Sequence, residues 1–269
     1  MISIRSISRR AAVLTLAALI PALGLGVHQA RADALSDIMK SGEIRIAVPQ
    51  DFPPFGMVGT DMQLEGYDID MARLIAKDMK VKIDLVPVTS ANRLPYLQTH
   101  KVDLVISTLG KTPDRAKVID FSDAYAPFFF GVFGPKSIKV TSPADLAGKT
   151  IGATRGALEE LELSKIAPPS AVIQRFEDNN TTMTAYVTGQ VQLIATGNAA
   201  AAVIGMRDPS KRPETKIVMK VSPCYVGLNK NEPALMAKVN EIIKAARADG
   251  TLNKFSEKWL GEKLPADLP

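Results

Sequence analysis

Polar residues follow an apolar run in the first half of the chain, at a point where a strand would turn into a helix. The run at residues 102–106 is followed by Ser107, Thr108, Leu109 and Gly110, and then by Thr112-Pro113-Asp114-Arg115. A strand that ends in hydroxyls and glycine before a helix exposes backbone N–H groups and the helix dipole to an anion. The Arg115 guanidinium could then bind a carboxylate through two hydrogen bonds. The pattern is compatible with a carboxylate site and equally with a capped helix that has a surface arginine.

A similar turn occurs in the second half of the chain. Its residues are Thr154, Arg155, Gly156 and Ala157, again between an apolar run and a helical pattern. The backbone amides of such a turn can face a ligand. Two turns of this kind that face each other across a cleft would suit a carboxylate.

Other site chemistries have little to build on. After residue 32 the chain has one histidine, His100, so a metal site or a histidine-based triad lacks its ligands. No G-x-G-x-x-G or P-loop segment occurs, so we expect no phosphate cradle, no metal and no cofactor. Acidic residues are plentiful, and catalysis by carboxylates stays open. Asp68 and Asp70 fall at a predicted helix start, where we expect them to act as caps.

The elements that would position these residues form two α/β halves. The first half has predicted strands at 44–48, 81–88 and 102–106 and helices at 67–79 and 93–100. The second has strands at 151–154, 171–176 and 192–195 and helices at 156–166 and 181–188. This alternation predicts sheets covered by helices. Apolar segments at 127–134 and 221–229 are candidates for crossing between the halves, and the chain is helical from Pro233 onward, with a break at Gly250.

The N-terminus has the pattern of a secretory signal peptide. Arg5, Arg9 and Arg10 precede an apolar run over residues 11–27, which ends in Ala30-Arg31-Ala32. We expect residues 1–32 to be removed on export to the periplasm. Their removal takes away four of the 33 basic residues and none of the 28 acidic ones, which leaves a net charge of +1. A near-neutral domain gives no electrostatic reason to expect nucleic acid as a partner.

Several short motifs follow one another in a recognisable order. They are Ile44-Arg45-Ile46-Ala47-Val48, Phe52-Pro53-Pro54-Phe55, Gly66-Tyr67-Asp68-Ile69-Asp70, Lys101-Val102-Asp103, Arg115-Ala116, Asp120-Phe121-Ser122, Ala248-Asp249-Gly250-Thr251-Leu252 and Lys258-Trp259-Leu260. Over about residues 43–262 the chain thereby resembles extracellular solute-binding proteins of the amino-acid (family 3) type. The resemblance implies a type II periplasmic binding protein fold, in which two α/β lobes joined by two crossing strands close over a ligand. It also implies delivery of that ligand to an ABC permease.

The resemblance implies roles for individual residues. Phe52 would be an aromatic wall, and Thr108, Gly110 and Arg115 would hold the ligand's α-carboxylate, with Ser107 and Leu109 lining that turn. The second lobe would supply amides from Thr154, Arg155, Gly156 and Ala157. The segment Ser90-Ala91-Asn92-Arg93 is similar to one in glutamate/aspartate binders, where the serine and arginine take the side-chain carboxylate. A helix-capping serine with an exposed arginine is the alternative for Ser90 and Arg93.

The chain departs from the family pattern where the ligand's ammonium would bind. The family usually has an aspartate where this chain has Gly197. Either the ammonium binds elsewhere, with Asp51, Asp178 and Asn198 as candidates, or the ligand has no ammonium.

We therefore expect a monomeric binding protein for an acidic amino acid or related dicarboxylate. Residues 33–132 and 226–269 would form the first lobe and residues 133–225 the second. Three guanidiniums, those of Arg93, Arg115 and Arg155, would favour a ligand with two carboxylates. The rival hypothesis is an enzyme on the same fold, such as a cyclohexadienyl or arogenate dehydratase, which would need an acid in the cleft. The sensor lobe of a receptor is a third, and it would need a spanning segment after the domain.

Overall fold

The computed structural model describes residues 33–268, so the predicted signal peptide at residues 1–32 lies outside the described range. The strands are β1 Glu43–Val48, β2 Asp51–Phe52, β3 Gly56–Val58, β4 Leu64–Glu65, β5 Lys82–Pro87, β6 Leu104–Leu109, β7 Ile119–Ala126, β8 Phe129–Gly134, β9 Thr150–Thr154, β10 Val172–Phe176, β11 Leu193–Gly197, β12 Glu214–Val221 and β13 Cys224–Asn229. The helices are α1 Ala34–Ser41, α2 Tyr67–Met79, α3 Arg93–Gln98, α4 Pro113–Val118, α5 Leu158–Ile166, α6 Asn179–Val187, α7 Asn198–Arg207, α8 Pro233–Ala248 and α9 Thr251–Leu260. Short 3-10 helices occupy Pro143–Leu146 and Pro209–Lys211.

The first lobe is built on a sheet of five strands in the order β5-β1-β6-β13-β7. β1 is parallel to both of its neighbours, whereas β13 is antiparallel to β6 and β7. α2 packs on this sheet through Ile69, Ala72 and Ile75, which are fully buried. Their spacing of three residues puts them on one helix face, which is why this segment folds as an amphipathic helix.

The second lobe repeats the arrangement with the order β10-β9-β11-β8-β12. β9 is parallel to β10 and β11, and β8 is antiparallel to β11 and β12. Val132, Ile151 and Leu193 are fully buried and belong to a separate core of this lobe. Each lobe therefore has its own sheet and core, as the two α/β halves of the sequence predict.

The chain crosses between the lobes twice. β7 ends at Ala126 in the first sheet and β8 begins at Phe129 in the second; the return passes from Val221 of β12 to Cys224 of β13. The crossings are thus at residues 127–128 and 222–223. The predicted boundaries at 132/133 and 225/226 fall inside β8 and β13, because an apolar run does not reveal which sheet its strand will join.

Some elements give no clear signal in the sequence. α7 contains four consecutive alanines, so its sequence has little contrast between a buried and an exposed face. β12 is an edge strand with no fully buried residue, and the three-stranded sheet β2-β3-β4 consists of strands of two or three residues. Within residues 33–268, no helix combines the length and apolar character required to cross a membrane.

Candidate functional site

A cavity lies between the two lobes at the carboxyl ends of β1, β5, β6 and β9. In α/β sheets of this kind, ligands bind outside the carboxyl ends of the strands. The first lobe lines the cavity with the predicted site residues Asp51, Phe52, Ser90, Arg93, Ser107 and Thr108. The second lobe contributes Ala157, which was predicted, and Leu158, Glu159 and Asn179, which were not.

Arg115 is buried beside this cavity and joins the lobes. α4 begins with Pro113 and is capped by the Thr112 hydroxyl, which accepts the Arg115 N–H at 3.2 Å. The guanidinium donates from Nη1 to the carbonyl of Gly110 at 3.0 Å and from Nη2 to that of Gly156, in the other lobe, at 3.4 Å. Burial, together with the nearby Arg93 charge, lowers the pKa of Arg115 to about 9, and Glu159 opposes this shift. Arg115 is therefore cationic at neutral pH, and the alternative of a surface arginine is wrong.

Arg93, the first residue of α3, is also buried, with 5% of its surface exposed. Its Nη1 donates a short hydrogen bond to the carbonyl of Ser107, while its Nε has no hydrogen-bond partner among the described residues. Burial lowers its pKa. The alternative of an exposed arginine is therefore wrong here too, and one N–H of this guanidinium is left without an acceptor.

The donors of Thr108 are engaged by the protein. Thr108 has φ of 46°, a left-handed conformation that is uncommon for a β-branched residue. Its backbone N–H and its hydroxyl both donate to Asp68 Oδ2, at 2.6 and 2.8 Å. In this arrangement Thr108 shapes the turn and does not offer these donors to a ligand carboxylate, which differs from the role that the resemblance implied.

Asp68 and Asp70 do not cap α2, contrary to the sequence prediction. The N-cap residue is Gly66, and no side chain caps the helix. Asp68 is fully buried and accepts from Tyr125 Oη at 2.6 Å as well as from Thr108. Burial raises its pKa to about 6 against these hydrogen bonds. The Asp70 carboxylate instead accepts from Trp259 Nε1 at 2.7 Å and Lys258 Nζ at 2.8 Å. Both carboxylates make tertiary contacts, which a local motif does not reveal.

Asp51 presents an unused oxygen inside the cleft. Its Oδ2 accepts from the N–H and the Nδ2 of Asn179 at the start of α6, at 2.7 and 3.2 Å, so it too joins the lobes. Its Oδ1 is buried and has no hydrogen-bond partner among the described residues. Burial raises the pKa of Asp51, and the bonds from Asn179 oppose that rise. A buried acceptor without a donor is costly, so a ligand N–H group at Oδ1 would remove a defect of the cleft.

The other two candidates for the ammonium have different roles. Asp178 is the N-cap of α6, where its carboxylate accepts from the N–H and hydroxyl of Thr181 at 2.7 and 3.0 Å. Asn198 lies on the other side of the crossing segments, where its Oδ1 accepts from the N–H of Phe129 at 3.4 Å. Neither lines the cavity described above.

Arg155 is directed away from the cleft. Its side chain is half exposed and its Nε donates to Glu177 Oε1 at 2.9 Å. The expected set of three guanidiniums is therefore reduced to Arg93 and Arg115. The residue types in the turn at 154–157 do not show by themselves which side chain faces the cleft.

Aromatic rings occupy the place of the family aspartate at Gly197. A Cβ there would lie 2.5 Å from Phe128 Cζ and 3.2 Å from Phe52 Cζ, so no side chain fits without displacing these rings. Phe52 packs against Phe55 and Phe128, with ring centroids 6.0 and 6.2 Å apart. Phe52 thus forms an aromatic wall, and the glycine is needed for the packing of that wall.

Glu159 is the main cleft residue that the sequence did not reveal. It is the second residue of α5, lines the cavity and is 7% exposed. Burial raises its pKa, and a bond from its own backbone and the charges of Arg93 and Arg115 oppose that rise. A glutamate in the first turn of a helix has a local explanation in the helix dipole, so nothing in the sequence distinguishes it from Glu160 beside it.

The remaining predicted residues support the cleft. Ser90 is half-buried on its wall, Leu109 is in the core, and Gly110 is buried against Leu158. Ala157 closes the turn after β9, where its N–H donates to the carbonyl of Thr154 at 3.1 Å. The Thr154 hydroxyl lies 2.7 Å from that of Thr182.

Residues 44–262 match the family model of the bacterial extracellular solute-binding proteins, family 3. The chain belongs to this family. It is 30% identical over 245 residues to the ABC transporter glutamine-binding protein GlnH of Bacillus subtilis (strain 168), and the match covers 89% of each chain. These findings confirm the resemblance described from the motifs.

Solved structures agree with the two-lobed fold. The ancestral amino acid-binding protein AncCDT-1, a precursor of cyclohexadienyl dehydratase, is 31% identical with a TM-score of 0.77, and the match covers 84% of this chain and 99% of that one. The solute receptor for L-cysteine of Neisseria gonorrhoeae is 30% identical with a TM-score of 0.78, covering 84% and 93%. The prediction of a type II periplasmic binding protein fold is confirmed.

The role of Asp68 can be tested by its removal. Asp68→Ala leaves the buried N–H and hydroxyl of Thr108 and the hydroxyl of Tyr125 without their acceptor. Because each such group costs about 1–3 kcal/mol, we expect the free energy of unfolding to fall by at least about 3 kcal/mol in urea titrations.

Asp70→Ala is the matched control, since Asp70 is in the same helical turn but its partners reach solvent. It should cost only about 1–2 kcal/mol. Equal losses for the two variants would contradict the role given to Asp68.

Proposed function

We propose that this chain is the substrate-binding component of an amino-acid ABC importer. It would work in the periplasm after cleavage of residues 1–32, bind its ligand as a monomer and deliver it to a membrane permease. Membership of family 3 and the contacts of Asp51 and Arg115 between the lobes support capture by closure of a cleft. The small net charge after export gives no support for nucleic acid as a partner.

The unpartnered Asp51 Oδ1 is the observation that carries the ligand assignment. It is a buried acceptor in the cleft, and an α-ammonium would supply its missing donor. Arg115 is a buried cation on the same lobe, and its guanidinium reaches both lobes. It is therefore suited to bind a ligand carboxylate in the cleft. We infer that an α-amino acid binds with its ammonium at Asp51 and its carboxylate at Arg115. Asp51 would thus take the role of the family aspartate, whose position is occupied by Gly197 in this chain.

Arg93 supports an acidic side chain on that amino acid. Its Nε–H is buried without an acceptor, and a guanidinium binds carboxylates more strongly than neutral oxygens. We therefore propose glutamate or aspartate as the ligand, with a dicarboxylate that has no amine second. With Arg155 outside the cleft, this proposal rests on Arg93 and Arg115 alone.

Arg115→Ala should abolish useful binding. Loss of a buried charged contact on one side typically costs about 2–5 kcal/mol, or roughly a 30- to 4000-fold loss of affinity. Arg155→Ala is the matched control. It removes a half-exposed arginine that pairs with Glu177 outside the cleft, and it should change affinity by less than about threefold. Titration calorimetry with L-glutamate measures both, and comparable losses in the two variants would exclude the assigned carboxylate site.

A thermal-shift panel at pH 6 tests the ligand class. A ligand at 100 times its dissociation constant stabilises the folded protein by about 2.7 kcal/mol. We expect L-glutamate or L-aspartate to raise the melting temperature most, glutarate less because it lacks the ammonium for Asp51, and L-glutamine and L-arginine least. A rise only with neutral or cationic amino acids would refute the acidic assignment and leave amino-acid binding intact.

The rival function is an enzyme on the same fold, and Glu159 favours it. A dehydratase that acts on a carboxylate-bearing ring needs a proton donor in the cleft, and Glu159 is a buried acid there with a raised pKa. A buried glutamate opposite two arginines is also explained by the charge of the ligand. We keep the binding function first because the matched GlnH is a transport protein.

Mass spectrometry separates the two functions. We expect L-glutamate, or any ligand that copurifies with the protein, to keep its mass during prolonged incubation. Prephenate and arogenate are the probes for the rival function, and steady accumulation of a dehydrated, decarboxylated product from either would establish the enzyme.

A further inference from the structure

Glu159 comes from the opposite lobe and lines the cavity together with Arg93, beside which Arg115 is buried. It projects from the first turn of α5 into the cavity that Arg93 lines, and its charge acts on Arg93 and on Arg115. Four ionisable side chains thus lie at or beside the cavity. They are the cations Arg93 and Arg115 and the carboxylic acids Glu159 and Asp51. When all four are ionised their charges cancel.

The charge of the ligand decides whether that balance survives. A neutral amino acid is a zwitterion and leaves the balance unchanged. An acidic amino acid adds one negative charge among buried side chains, where an uncompensated charge is costly. The simplest compensation is the protonation of one carboxylate already present.

We propose that Glu159 takes up one proton when the cleft binds an acidic amino acid. The inference rests on the proposed function and specifies how the same site accepts a second ligand carboxylate. Asp51 is the less suitable proton acceptor, because Asn179 donates two hydrogen bonds to it and the ligand ammonium would add a third contact.

Ligand carboxylates on Arg93 and Arg115 would reverse the balance at Glu159. In the empty cleft, burial raises the pKa of Glu159, and the charges of both arginines oppose that rise. Once a ligand carboxylate neutralises each guanidinium, the arginines no longer stabilise the ionised form of Glu159, and its pKa rises further. Proton uptake therefore occurs between the pKa of the empty cleft and the higher pKa of the complex. Over that interval, affinity for an acidic ligand falls as the pH rises.

Other titratable groups near Glu159 do not replace it in this role. Of the strands that pack on α5, β8, β9 and β11 have no charged residue; on β12 Lys216 pairs with Glu214, and Lys220 is the remaining charged residue. Glu160 is paired with Arg175. The Cys224 thiol is neutral, since burial raises its pKa well above the ordinary value. Asp68, whose pKa burial raises to about 6, does not line the cavity, and the three hydrogen bonds that it accepts from Thr108 and Tyr125 favour its ionised form.

Calorimetry in two buffers of different ionisation enthalpy measures proton uptake directly. On the unaltered protein between pH 5 and 8, we expect about one proton to be taken up per L-glutamate bound and none per L-glutamine. Affinity for L-glutamate should fall by up to about tenfold per pH unit across the uptake interval.

Glu159→Gln should abolish both the proton uptake and the pH dependence for L-glutamate. Glu162→Gln, on the same helix in a surface pair with Lys165, should keep both. Binding of L-glutamate without proton uptake, or uptake that persists in Glu159→Gln, would overturn the inference and leave the proposed function standing. Binding of L-glutamine but not L-glutamate at every pH would overturn the inference and refute the acidic assignment, while amino-acid binding would stand. If neither amino acid nor any other in the panel binds, the proposed function fails as well.

Discussion

The burial of two guanidinium groups between the lobes is the constraint on which the site depends. Arg93 and Arg115 are 5% and 7% exposed, and a buried charge is tolerated only with partners that replace its water. The carbonyls of Ser107, Gly110 and Gly156 supply part of that replacement, and Glu159 supplies the opposite charge. The replacement is incomplete at Arg93 Nε, as it is at Asp51 Oδ1. Among residues 33–268, the cleft therefore has one buried donor and one buried acceptor without a hydrogen-bond partner.

A buried carboxylate, that of Asp68, fixes the turn beneath the two arginines. Asp68 holds Thr108 in its left-handed conformation and is itself held by Tyr125. That turn sets the direction of the Ser107 carbonyl, and hence the position of Arg93. The aromatic wall at Gly197 closes the cleft on another side, where the family aspartate would stand. In the proposed binding mode, Asp51 would take the place of that aspartate.

The sequence predicts the two α/β lobes and the two strand-to-helix turns of the site, because apolar periodicity and strand-to-helix transitions are local. It also marks Arg115, since Thr112 and Pro113 define the helix that positions it. It does not distinguish Arg155 from Arg115: both follow a strand, and only the tertiary structure shows one paired with Glu177 at the surface. Asp68, Glu159 and Asp178 all stand at helix starts, where an acidic residue has a sufficient local explanation. Only Asp178 is a cap; the other two are buried through contacts with residues distant in the chain.

The central claim is that an α-amino acid completes the cleft, with its ammonium at Asp51 and its carboxylate at Arg115. A crystal structure of the protein grown with L-glutamate at pH 6 tests this claim most directly. The account predicts the ligand nitrogen at about 3 Å from Asp51 Oδ1 and the α-carboxylate against the Arg115 guanidinium. A ligand whose nitrogen contacts Glu159 while Asp51 Oδ1 stays without a partner would contradict it.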